Sequence, residues 1–204
     1  MRSEESINRD PSNEFLSGYP RLRLDAESIR DTLLAVGGNL DLSPAGQHPF
    51  PAPHTWGYTQ HNPFKAVYDS RHRSVYLMTQ RIQRHPYLAI FDGADPSSST
   101  PARMVSTTPL QALFLLNDPL VHEQSKLIAE RIAKSSDNVD NRIALAFELL
   151  FSRAATDEET AAARSFLQQA ESLASSSGSA ANPGEAWQAL IRSLLRVNEF
   201  VYLD

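Results

Sequence analysis

Two aspartates three positions apart, Asp92 and Asp95 in the stretch FDGADP, are the first candidates for chemistry in this chain. A pair of carboxylates can divide the acid and base work of glycoside cleavage, with Arg73, Arg81 and Arg103 lining the cleft and holding sugar hydroxyls. The same residues have a structural use. Aspartates in a D-G-x-D-P turn bond neighbouring backbone N–H groups, and arginines pair with them to seal the loop. Both uses stay open on the sequence alone.

A second candidate is the binding of an anion. Thr107 and Thr108 stand where a helix should begin, and a sulfate or carboxylate can sit on such an end with Arg103 nearby. Thr108 is also needed as the helix cap, whereas Arg103, Thr107 and Asn117 have no assigned structural work. The six histidines, at 48, 54, 61, 72, 85 and 122, include a loop set, His48, His54 and His61, whose spacings of six and seven specify no metal geometry. No metal site is expected. There is no GxSxG elbow for a serine nucleophile. Cysteine is absent, which excludes disulfides, thiolate ligands and covalent haem attachment, so no cofactor is expected in this chain.

The elements that position these residues follow from capping and periodicity. In Ser106–Pro119, STTPLQALFLLNDP, Thr108 reads as an N-cap, Pro109 as the first helical residue and Gln111 as the closing member of a capping box. Ala112 to Leu116 are apolar on every side, so this helix is expected to be central and buried. Asp118 then caps a following helix. An earlier helix starts at Asp25, carries Ile29, Leu33 and Val36 on one stripe and stops at Gly37-Gly38. Residues 39–71 lose periodicity in a long Pro/His-rich loop, and RSVYLMT at 73–79 reads as a short strand. The C-terminal half is helical throughout. Asp137 or Asp140 caps one helix, and Thr156 with Glu159 form a second capping box. Ala162, Phe166, Leu167 and Ala170 lie on the helix that follows. A Ser/Gly-rich linker at 172–184 precedes a last helix whose apolar face runs from Trp187 through Leu194 and Val197 to Val201.

At 204 residues, 41% hydrophobic and 21% charged, the chain is long enough for one globular domain. A net charge of -5 without a basic run disfavours nucleic acid. No segment approaches the length of a membrane span. The first twenty residues lack the apolar stretch of a signal peptide, so the chain itself specifies no compartment.

The succession RLDAESIRDTLLAVGG at 23–38, RSVYL at 73–77, FDGADP at 91–96, TTPLQALFLLND up to Asp118, TDEE at 156–159 and NEFVYLD at 198–204 resembles a known family. It is similar to the planctomycete cytochrome-c-associated C-terminal domain, domain-of-unknown-function family 1553. The resemblance covers about Asp10 to the last residue and implies a C-terminal portion of larger exported or periplasmic proteins carrying a c-type haem domain upstream. It brings no established activity. A role beside polysaccharide breakdown is what the company of such proteins implies. Read as a shortened relative, the chain should leave apolar residues exposed where upstream parts would pack, above all on the first helix.

The expected architecture is therefore mainly α: residues 1–20 as a polar tail or truncated end, and a single domain over 21–204. In that domain a C-terminal helical bundle surrounds the 109–116 helix, and the irregular N-terminal half holds one or two short strands. The expected function is a binding or assembly module. Its partners would be upstream domains of a longer relative or another protein, and carbohydrate. The alternative is a polysaccharide-directed hydrolase using Asp92 and Asp95.

Overall fold

The computed structural model describes residues 4–19, 21–48, 69–81, 84–176 and 183–203, together with positions 52, 54, 57, 59 and 61. Eight α-helices and one two-stranded antiparallel sheet make up its regular structure among these residues, so the fold is mainly α. In chain order they are α1 (Glu4–Arg9), β1 (Leu22–Arg23), α2 (Ala26–Gly37), α3 (Pro86–Ile90), α4 (Pro109–Asn117), α5 (Pro119–Ala133), α6 (Val139–Phe151), α7 (Asp157–Ser176), α8 (Pro183–Leu194) and β2 (Tyr202–Leu203). No helix of the described residues is long and apolar enough to cross a membrane.

Local chemistry places most helix starts. Asp25 accepts from Ser28 N at 2.7 Å, and Asp118 accepts from Leu120 N at 2.9 Å. Thr108 and Gln111 close the expected capping box, as do Thr156 and Glu159. At α6 the cap is Asn138, bonded to the N–H groups of Asp140 and Asn141, rather than Asp137 or Asp140. Its carboxamide oxygen reaches two orphan donors from the one position that has extended backbone.

The centre of the molecule is α5. Its buried face, Val121, Gln124, Ser125, Ile128, Ala129 and Ile132, follows the helical repeat and packs against α8 and α2. The expectation that α4 is buried on all sides does not hold. Leu115 is buried and Phe114 packs edge-on to Phe91, but Leu110 is 64% exposed and Leu113 51%. An apolar run such as Ala112 to Leu116 still has only as much cover as its neighbours supply, and α5 and the end of α3 cover the side of Gln111 and Leu115 and leave Leu110 and Leu113 open. The first long helix behaves in the opposite way to expectation: Ile29, Leu33 and Leu34 of α2 are buried against the body.

Three further boundaries differ from the sequence reading. RSVYLMT is no strand: Ser74–Tyr76 is a 3-10 turn, because Asp31 accepts from Ser74 N at 2.7 Å and Oγ at 2.6 Å and pulls the chain against α2. Helix α7 runs on to Ser176, into the stretch read as a linker, and of its expected face Leu167 is buried and Ala170 half-buried, while Ala163 is buried in place of the exposed Ala162 and Phe166. Helix α8 stops at Leu194, after which Asn198–Val201 forms a 3-10 turn leading into β2, with Val197 left exposed. The pairing β1–β2 joins the two ends of the domain through Leu22↔Leu203 and Arg23↔Tyr202. The loop aromatics Phe50, Trp56, Tyr58 and Phe64 lie outside the described residues.

Helix α3 ends in a tight reversal that sets up the site. Phe91 is the C-cap, Asp92 follows in the left-handed region at φ 61°, and Gly93 N donates to Leu88 O at 2.6 Å, the six-to-one bond of a Schellman ending. A Cβ on Gly93 would lie 2.7 Å from Leu88 Cβ and 2.8 Å from Leu88 O. Backbone cannot yield as a side-chain tip can. Gly93→Ala is expected to cost about 1–3 kcal/mol. Gly46→Ala, with nothing near its Cβ, should stay within about 0.5 kcal/mol, both changes being read from urea titrations.

Candidate functional site

Strand β1 turns Arg23 inward, leaving its side chain 6% exposed. Its Nη1 donates to Asp92 Oδ2 at 3.0 Å and its Nη2 to Gln111 Oε1 at 2.9 Å. Asp92 also accepts from Ser106 N at 2.9 Å and from Ser106 Oγ at 2.8 Å. Gln111 in turn donates from Nε2 to Ile90 O at 2.9 Å while its Oε1 completes the α4 capping box. One guanidinium, one carboxylate and one carboxamide thus tie together β1, the end of α3, the 106 turn and the start of α4. Burial pushes the Asp92 carboxyl up, but the Ser106 hydroxyl and N–H and the Arg23 guanidinium outweigh it and hold it below the ordinary value.

Asp95 belongs to a different set. It accepts from Ser97 N at 2.9 Å and pairs with Arg84 at 2.9 Å, while Ser97 Oγ donates to Arg81 O. The Ser97 N–H and the Arg84 guanidinium hold its carboxyl below the usual range. Both aspartates therefore accept from a backbone N–H and a guanidinium, Asp92 from the distant Arg23 and Asp95 from Arg84 nearby in the chain.

Of the three arginines near them in sequence, two face other acids and none meets Asp92 or Asp95. Arg103 makes a two-pronged bond to Glu27 on α2, at 3.2 and 2.9 Å. Arg73 lies 3.9 Å from Asp31, and Arg81 is exposed. The guanidinium that meets Asp92 is Arg23, which sequence reasoning did not single out. A second inward arginine was also missed. Arg30 on α2, buried, donates to the carbonyls of Ser70 and His72 and to Ser74 Oγ, and so fixes the segment after the long loop. Asn117 is exposed at the end of α4.

The loop histidines do not assemble into a ligand set. His48 lines a cavity of about 180 Å³ together with His72, His85 and Asp69, and neither His54 nor His61 is on that wall. Among the described residues no three of His, Asp or Glu are placed to hold a metal ion. Burial, aided by Arg30, pushes the His85 imidazole down, which keeps it neutral near pH 7.

Beside the Arg23–Asp92 node lies a cavity of about 320 Å³, walled by Thr107, Thr108, Phe91, Leu115, Arg196 and Tyr202 among others. Thr107 and Thr108 are thus on a cavity wall, as an anion site would need. Arg103 is not on it, and Arg196, contributed by the turn after α8, is. The arrangement offers hydrogen-bond donors beside apolar side chains, and among the described residues on its wall none is a carboxylate available as an acid or base.

In comparisons with known proteins, the model of a family described as PSD1, Protein of unknown function (DUF1553), matches residues 1–167. No curated protein and no solved structure matches the chain.

Proposed function

The chain belongs to the PSD1 family of proteins of unknown function (DUF1553), and on that premise we propose that it is a non-catalytic binding or assembly module working with upstream domains of longer, exported, haem-linked relatives. The observation that carries this reading is the use of the two aspartates. A glycosidase carboxylate must be free to take or give a proton at the substrate, whereas Asp92 and Asp95 are occupied by internal donors and set below the ordinary carboxyl range. That disposition suits a turn that holds a surface in place.

The surface in question runs from Met104 and Val105 to Leu110 and Leu113, all exposed. Leu110 and Leu113, at i and i+3, share one face of α4, and the capped start of α4 is anchored to the Arg23–Asp92 node. Exposed apolar residues held on a rigid element suit a partner contact.

A pull-down with the upstream domains of a longer relative tests this. The wild-type chain should be retained, and the variant carrying Leu110→Asp and Leu113→Asp, both outside the core, should be lost from the beads with an unchanged circular dichroism spectrum. The reading is overturned if the chain releases reducing ends from a polysaccharide panel and either Asp92→Asn or Asp95→Asn abolishes that release.

A further inference from the structure

We propose that the 320 Å³ cavity beside α4 binds an organic monocarboxylate, its planar head on Arg196 and its apolar stem against Phe91, Leu115 and Val201. This deepens the binding-module reading and rests on it. Volume comes first: the cavity is at the lower end of the range in which small-molecule sites occur, which limits the ligand to a compact acid.

Charge selects the sign. The chain carries a formal net charge of -5, and two larger cavities among the described residues have carboxylates on their walls. One of about 620 Å³ shows Asp69, Asp118 and Glu123, and one of about 360 Å³ shows Glu130 and Glu185. Among the described residues, the wall of the cavity beside α4 has two arginines and no acid. Asp92 behind it neutralises Arg23. Arg196 is different: among the described residues its guanidinium makes no hydrogen bond or ion pair, and it stands on the wall of a cavity where no described residue supplies a counter-ion.

Donor geometry selects the head group. Thr108 Oγ1 accepts from Gln111 N, which leaves its own proton to donate toward the cavity, and Thr107 is exposed beside it. One fork-shaped guanidinium and one hydroxyl match a flat, singly charged carboxylate. A phosphate would need more cations than the wall supplies. Phe91, Leu115 and Val201 stand on the same wall and, with the exposed Ala112 and Val197, give the rest of the ligand an apolar bed.

Benzoate is the probe, with benzamide as its uncharged isostere, followed by amide NMR on the full chain. Benzoate should shift the Thr107, Thr108 and Asn198 amides saturably at millimolar concentration. Arg196→Gln, at an exposed position, should weaken that binding about tenfold or more. Arg103→Gln should leave it at the wild-type value. An absence of shifts, equal shifts with benzamide, or undiminished binding in Arg196→Gln would each overturn the proposal. A chain that ignores benzoate yet is still retained by the upstream domains removes this ligand while leaving the assembly reading in place.

Discussion

Arg23→Met is expected to destabilise the protein by about 2–4 kcal/mol, because it leaves the largely enclosed Asp92 carboxylate without its counter-charge. Methionine preserves the apolar stem of the arginine and its packing, so the loss reports on the guanidinium. Arg23 and Asp92 side chains are 6% and 15% exposed, which places the pair where solvent screens it little. Removal leaves Asp92 with the Ser106 donors alone and takes one of the two donors from Gln111 Oε1. In a domain of this size the thermal midpoint should fall by roughly 10 °C. Adding Asp92→Asn to Arg23→Met should restore part of the stability, since asparagine keeps the left-handed backbone that position 92 requires and carries no charge. Arg103→Gln is the contrast. Its pair with Glu27 is 40% and 26% exposed, and the change should cost at most about 1 kcal/mol.

The pH dependence of that difference has a definite sign. The Asp92 carboxyl is held below its ordinary value of 3.8 in the folded protein, so the unfolded chain binds the proton more readily. The stabilisation from Asp92 is therefore complete above the unfolded pKa and is lost as pH falls through the folded one. The gap between wild type and Arg23→Met should be constant near neutrality and narrow below about pH 4. A gap that widened on acidification would mean that Asp92 is protonated in the native state.

How far the site was legible in the sequence depended on the range of each interaction. The Thr108–Gln111 box spans three residues, and Asp25 and Asp118 reach donors three and two residues on, so their spacing was enough to place them. Arg23 reaches Asp92 across 69 residues and Gln111 across 88, a pairing no window contains. Nearness in sequence pointed instead to Arg73, Arg81 and Arg103. Two of these are drawn to α2, where Asp31 and Glu27 stand ready. The same helix overrode the strand-forming composition of RSVYL: Asp31 and Arg30 both bond Ser74, and a 3-10 turn satisfies them where an extended chain would not. Arg23 had one weak signal, the alternation Arg21-Leu22-Arg23-Leu24, which fits a strand with one face carrying arginine.

Ile128→Ala should cost about 2–5 kcal/mol, and Leu113→Ala about 0.5 kcal/mol or less, although both remove an aliphatic side chain from a helix. Ile128 is wholly enclosed on α5, in the face that meets α8 and α2, so its loss opens a cavity that three elements must collapse to fill. Leu113 is 51% exposed, and water already occupies the space its loss would leave. Composition alone suggests the reverse ranking. Residues 112–116 are an unbroken apolar run, while α5 interleaves His122, Glu123, Lys126 and Glu130 with its core residues. What decides is the repeat: Val121, Ser125, Ile128 and Ile132 recur on one side of a fifteen-residue helix and can be covered by two neighbours at once, whereas the apolar run 112–116 of the nine-residue α4 has more greasy surface than its neighbours hide. Urea midpoints at unchanged slope measure both changes. A larger loss for Leu113→Ala than for Ile128→Ala would return α4 to the centre of the fold and deprive the exposed Leu110–Leu113 face of its proposed role in assembly.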